Sequence, residues 1–153
     1  MTLDKTNRQI LSLLQQSGRM TNQELAEKIG LSPATTLERV KKLEKNGFIE
    51  GYRAILNPEK VGQLLFAFVA VSMANHTSTS MREFKEAMDA LPEVLECHHI
   101  AGNEDYLLKV AVSDMATYEH FLVTRITPLP FIGRVRTHFI LSTLKYQPEL
   151  PLD

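Results

Sequence analysis

Thr21-Asn22-Gln23-Glu24-Leu25-Ala26-Glu27-Lys28-Ile29-Gly30-Leu31-Ser32-Pro33-Ala34-Thr35-Thr36-Leu37-Glu38-Arg39-Val40-Lys41-Lys42-Leu43 is the stretch on which the fold reading turns. Thr21 reads as an N-cap. Glu24, three residues on, stands where its carboxylate and the Thr21 hydroxyl each satisfy a backbone N–H of the helix start. Leu25, Ala26 and Ile29 recur at helical spacing as a buried stripe, and Gly30 closes the helix. Only Leu31 separates Gly30 from Ser32, the next N-cap. Pro33 then occupies the first helical position, where its missing N–H costs nothing. Leu37, Val40 and Leu43 are expected on the inner face of this helix, and Gly47 stops it. Two helices joined by a short turn containing glycine make a helix-turn-helix.

A helix that enters the major groove presents polar and basic side chains near its N-terminal end. With Leu37, Val40 and Leu43 inward, the opposite face would show Thr35, Thr36, Glu38, Arg39 and Lys42. Threonine hydroxyls donate or accept, and their methyl groups meet thymine methyls. Arg39 suits a guanine edge or a phosphate, while Ser32 and the free N–H groups of the helix start suit a phosphate oxygen. Ser32, Thr35, Thr36, Arg39 and Lys42 are therefore the expected contacts to double-stranded DNA. Lys41, Lys45 and Arg53 add attraction for any polyanion. A Lys/Glu mixture is also common on a plain solvated helix. The capped helix and glycine turn in front of this one favour DNA.

Outward from this core, Leu3, Ile10, Leu11, Leu13 and Leu14 give an earlier helix, with Asp4 on its polar side and Gly18 closing it. After Gly47, short β-prone pieces around Gly51 suggest a small wing or a strand. Asn57-Pro58 is a turn signal and the best linker. The division expected is a DNA-binding domain over 1–56, a linker over 57–63 and a second domain over 64–153.

The second domain has a different rhythm. Leu64 to Met73 reads as a buried strand and Met81 to Leu91 as an amphipathic helix ended by Pro92. Val94 to Ala101 and Tyr106 to Val112 read as a hairpin around Gly102-Asn103-Glu104-Asp105. Asp114 caps a helix running through Tyr118, Phe121, Leu122 and Ile126. Pro128, Pro130 and Gly133 break the chain, and Val135 to Thr143 is the last strand. The order β-α-β-β-α-β is the ferredoxin-like arrangement, so the whole chain is α+β.

Bulk properties fit this division. The chain has 153 residues, 44% hydrophobic and 23% charged, with a net charge of −1. Residues 1–56 carry nine Lys/Arg against six Asp/Glu, or +3. Residues 57–153 carry eight against twelve, or −4. A basic front and an acidic back suggest that only the front meets a polyanion. The longest apolar run, Leu64 to Val71, is far shorter than a membrane span. The opening Met-Thr-Leu-Asp-Lys does not read as a secretory signal. The single cysteine, Cys97, has no internal disulfide partner, which agrees with a cytoplasmic location.

Leu3-Asp4-Lys5-Thr6-Asn7-Arg8-Gln9-Ile10-Leu11, Gly18-Arg19 and Thr21-Asn22-Gln23-Glu24-Leu25-Ala26 resemble the opening of the Lrp/AsnC, or feast/famine, family of transcriptional regulators. So do Leu31-Ser32-Pro33, Leu37 to Glu44, Gly47-Phe48-Ile49 and Gly51-Tyr52. Gly102 and Asp105-Tyr106-Leu107-Leu108 resemble the family's C-terminal hairpin signature. The motifs occur in order over nearly the whole chain. One departure, Thr35-Thr36 where members often carry Pro-Cys, bears on which DNA sequence is read rather than on binding itself. The resemblance implies a homodimer built by two sheets packing face to face, and assembly of dimers into octamers or larger rings. It also implies an amino-acid effector held between dimers near the Gly102–Leu107 turn, which brings in Tyr106.

The residues at that turn are chemically apt. Gly102 and Asn103 expose backbone N–H groups that can hold a carboxylate. Asp105 can accept from an α-ammonium, and Phe139 on the last strand can enclose the side chain. The same residues also make a plain hairpin turn. Cys97-His98-His99 invites a metal or catalytic reading, but a metal needs three or four converging ligands, and His76, His120 and His138 show no register with them. No cofactor, metal site or catalytic constellation is expected. The rival to a regulator is a ferredoxin-like small-molecule-binding protein or enzyme with an N-terminal interaction module. Salt-sensitive retention on heparin distinguishes the two.

Overall fold

The structure, a computed structural model, describes residues 3–152. Met1 and Thr2, at the start of the segment read for a secretory signal, and Asp153, at the end of the expected second domain, lie outside the described residues. The chain divides into two compact units: residues up to Ile55 together with those from Lys145 onward, and Leu56–Leu144.

Three helices form the first unit: α1 (Lys5–Gln16), α2 (Asn22–Ile29) and α3 (Pro33–Lys45). Each begins on a side-chain cap. Asp4 accepts from the Asn7 N–H at 2.7 Å, Thr21 and Glu24 form the reciprocal capping box, and Ser32 accepts from the Thr35 N–H. Asp4 is thus a cap and not part of a polar helix face. Ile10, Leu11, Leu25 and Leu43 are the buried centre of the unit.

α3 turns a different face inward from the one expected. Thr36 is fully buried beside half-buried Val40 and buried Leu43, whereas Leu37 is 43% exposed. Residues 36, 40 and 43 make as good a helical stripe as 37, 40 and 43. The threonine is tolerated inside because its hydroxyl donates to the Ser32 carbonyl at 2.9 Å. Thr36 is therefore withdrawn from the DNA-facing set.

Residues 50–57 are exposed and adopt no strand, so the β-prone pieces around Gly51 make no ladder among the described residues. The tail also departs from the expected 64–153 extent. The Leu150 N–H donates to Gln15 Oε1 at 2.7 Å, the Gln15 Nε2 donates back to the Leu150 carbonyl at 3.1 Å, and Leu152 packs on the first unit's core.

The second unit opens with a short 3₁₀ turn (Glu59–Val61). It continues through β1 (Leu65–Met73), α4 (Ser78–Asp89), β2 (Val94–His99), β3 (Tyr106–Val112), α5 (Met115–Phe121) and β4 (Ile132–Phe139), with Leu122–Ile126 widening α5 into a π turn. The sheet order is β2-β3-β1-β4 and every pairing is antiparallel. Val69 and Val71 of β1 and Leu108 and Val110 of β3 are buried with Phe84 and Phe121 of the helices. Full burial of such side chains contributes roughly 1.5–3 kcal/mol each. By strand alternation, Phe66, Phe68 and Ala70 of β1 and Leu107 and Ala111 of β3 lie on the opposite face, which no helix of this unit covers.

β4 begins earlier than the proline and glycine signals suggest, and Gly133 lies within it. A β-carbon there would come 3.1 Å from the Met73 carbonyl oxygen and the Ala74 nitrogen, so glycine permits the strand to pass the bulge at Ser72/Met73.

Candidate nucleic-acid interface and hairpin turn

α3 is the element with the geometry of a groove-reading helix. Its start is exposed and capped by Ser32, whose hydroxyl also lies 2.9 Å from that of Thr35. Thr35 and Lys42 are exposed, as expected. Arg39 is not free as expected. Its guanidinium donates to Asp4 Oδ2 at 2.8 Å and to Asn7 Oδ1 at 3.0 Å, tying α3 to the first turn of α1. Asn7 is itself buried. The hydrogen bond from Arg39, then the Asn7 N–H, hold the Asp4 carboxyl below its usual range. Asp4 and Asn7 went unnoticed as functional partners in the sequence. An Asp directly before a helix is a cap signal, and Asn7 falls on the Ile10/Leu11 stripe, so both were open to notice.

The hairpin turn between β2 and β3 is pinned by Asp105. Its Oδ2 accepts from the Met73 N–H at 2.7 Å and its Oδ1 lies 2.8 Å from His76 Nε2. Its backbone N–H donates to the Val71 carbonyl and its own carbonyl accepts from Ile100, both at 2.9 Å. The Met73 N–H first, and His76 second, hold the Asp105 carboxyl below the usual carboxylate range. Nothing in the sequence pairs His76 with Asp105, because the contact depends on how the chain leaves β1. Gly102 has φ +156°, a conformation that disfavours any side chain, and the space beside it is open. Among the described residues, none accepts a backbone hydrogen bond from Gly102 or Asn103. Arg136 of β4 reaches to 3.0 Å from Glu104.

Two expected members of this site are placed elsewhere. Tyr106 is 8% exposed and stacks on Phe84 at 4.2 Å, with His99 5.0 Å away. It belongs to the wall of an open pocket of about 470 Å³ between α4 and the sheet, not to the rim of the turn. Phe139 pairs with Ala67 and meets Tyr118 edge-on at 5.0 Å. That is four residues, about 13 Å at strand rise, from Val71, to which Asp105 is joined. Phe139 therefore does not reach the turn within one chain, because β4 runs its length away from it.

Cys97 and His99 share that pocket with Lys85 and Asp89. Burial, then the Asp89 carboxylate, push the Cys97 thiol up and keep it protonated. His98 faces the other side of the sheet, where it contacts Glu96 at 3.1 Å. Among the described residues no group of three His, Cys, Asp or Glu side chains converges for a metal, and no helix is long and apolar enough to cross a membrane.

A capped helix-turn-helix joined to a ferredoxin-like unit with a glycine hairpin defines a class of protein: a two-domain, ligand-responsive DNA-binding regulator. The Lrp/AsnC ligand binding domain model matches residues 66–150, and a winged helix-turn-helix DNA-binding model matches residues 3–50. The chain belongs to the Lrp/AsnC family of DNA-binding transcriptional regulators. The leucine-responsive regulatory protein of Haemophilus influenzae is 43% identical over 143 residues, covering 94% of this chain and 86% of that protein. That of Escherichia coli is 39% identical over 148 residues, covering 97% and 90%. Among solved structures, a transcriptional regulator of Neisseria meningitidis in complex with L-Met superposes with a TM-score of 0.95 at 37% identity, covering 98% and 97% of the two chains. The feast or famine regulatory protein of M. tuberculosis complexed with L-methionine gives 0.84 at 34%, covering 97% and 99%.

Proposed function

We propose that this regulator binds operator DNA as a homodimer, and that an amino acid bound at the Gly102–Asp105 turn changes its assembly or its affinity. The observation that carries the sensing half is the turn itself. The backbone N–H groups of Gly102 and Asn103 are uncommitted beside an acid whose position is fixed. A zwitterion needs opposite partners at a fixed separation, and burying one without them costs several kcal/mol. The two N–H groups would take the carboxylate. Asp105 Oδ1 would take the ammonium in place of His76, whose side chain is 66% exposed and easily displaced. That two relatives were solved with L-methionine supports an amino acid as the ligand class.

On the DNA side, Ser32 and Thr35 at the helix start and Lys42 on its flank are placed to hold phosphates. A dimer would set two α3 helices about 34–36 Å apart, or a multiple, over a pseudo-palindrome. The helix-free face of the sheet, with Phe66, Phe68 and Leu107, is the surface that a second copy would cover. Dimers would assemble further into octamers or comparable rings. Effector binding at such boundaries typically couples to DNA binding by roughly 1–3 kcal/mol.

Calorimetric titration with the twenty amino acids tests this reading. At least one should give heat with the parent protein and none with Gly102→Val, whose side chain would block the approach to the backbone. If no amino acid gives heat or a melting shift with the parent, the second unit serves assembly or another ligand class.

A further inference from the structure

Resting on the reading that α3 enters the major groove, we propose that operator bases are read by the strip Ala34, Leu37, Glu38 and Lys41, with Leu37 meeting a thymine methyl, while Arg39 positions α3. Residues on a helix advance by about 100°. With Thr36, Val40 and Leu43 turned inward, the outermost direction near the start of α3 falls on Ala34 and Glu38, Lys41 and Lys42 lie to either side of it, and Leu37 lies beyond Lys41 on that flank. Thr35 and Lys42 fall on one flank, and Arg39 lies between that flank and the core. Four observations separate these roles. Arg39 already spends its guanidinium on Asp4 and Asn7. The Ser32 and Thr35 hydroxyls contact each other at the cap. Leu37 is a large apolar side chain left 43% exposed near the start of a helix whose other exposed side chains are mostly polar. Lys41, like Lys42 on the opposite side, has neither an ion pair nor a side-chain hydrogen bond among the described residues, and it is the one of the two on the Leu37 side.

A leucine gains nothing from a phosphate. In the major groove the one apolar feature of a base edge is the thymine C5-methyl. Glu38 beside it suits the N4 donor of a cytosine, and Lys41 an acceptor on guanine. Arg39 contributes by fixing the angle of α3 against α1, so its loss would weaken all sequences alike.

The test uses the full chain and a random-sequence duplex library, sequenced after selection. In the parent's selected operator, each thymine is then replaced singly by deoxyuridine, which removes only the methyl group. At one position per half-site, the replacement should weaken the parent by roughly four- to tenfold, the scale of one or two buried methyl groups. The same replacement should leave Leu37→Ala unaffected. Leu37 is 43% exposed, so this variant should lose less stability than the truncation of a fully buried leucine does. Arg39→Ala should melt lower and bind more weakly while keeping the parent's base preferences. The proposal is overturned if deoxyuridine weakens both proteins equally at every position, or if Arg39→Ala loses preference at a single base pair with its melting temperature intact. A parent that selects a motif unchanged by Leu37→Ala, Glu38→Ala and Lys41→Ala refutes the strip alone. A parent that selects no motif refutes the underlying DNA reading and the strip with it.

Discussion

Asp105 pins the hairpin turn to the end of β1 through the Met73 N–H and lies against His76. Asp105 was legible as a turn residue, but not as the group that joins the hairpin to the end of β1, because that bond is made across 32 residues of sequence. Its carboxyl is held below the usual value of about 3.9, first by the Met73 N–H and then by His76. A depressed pKa means stability present above the unfolded value and lost as pH falls through the folded one. Thermal melts of the parent should therefore drop as pH falls below about 4. Asp105→Asn should start lower at neutral pH and lose less over the same acid range. Thr36 is expected outward because the stripe Leu37, Val40 and Leu43 is as regular as 36, 40 and 43; its bond to the Ser32 carbonyl lets it sit in the core. Thr36→Val should change stability by no more than about 1 kcal/mol, the usual net worth of one such bond. It should leave the selected operator sequence unchanged.

Elements with local signals were legible and those held by distant contacts were not. The capping box of α2, the proline at N1 of α3, the apolar run of β1 and the turn residues before β3 all act within a few residues, so these four elements were foreseeable. The first strand of the hairpin ends at His99, short of the expected Ala101, and β4 begins at Ile132 because Gly133 serves a close approach and not a break. The small wing or strand expected around Gly51 has no strand partner among the described residues. The tail Leu150-Pro151-Leu152 has no periodicity at all, yet it is stitched to α1 by two hydrogen bonds through Gln15. Removing residues 145–153 should destabilise the first unit by about 1 kcal/mol, as partial exposure of one leucine and its neighbours implies. Hydrogen exchange should then quicken in α1 and leave β1 and β3 unchanged.

For the whole molecule, charge partition and the order of motifs already indicated a basic DNA-binding front and an acidic second domain. Oligomeric geometry came only from the family resemblance, since Phe66, Phe68 and Leu107 share their sheet face with Glu96, His98, Lys109 and Arg136, and that composition by itself names no partner surface. Phe68→Glu, which puts a charge on that helix-free face, should shift the proposed homodimer toward monomer in sedimentation at micromolar concentration and lower operator affinity at least tenfold, since a single half-site binds weakly. Unchanged sedimentation would place the interface elsewhere. Effector-modulated, sequence-specific DNA binding is the central property proposed for this protein. The most direct measurement is selection of a random duplex library by the full-length protein, with and without each of the twenty amino acids. Enrichment of a pseudo-palindrome with half-sites one helical turn or a multiple apart, altered in strength or spacing by at least one amino acid, is the expected result. Enrichment of no sequence above the input library, or a motif that none of the twenty amino acids affects, would contradict it.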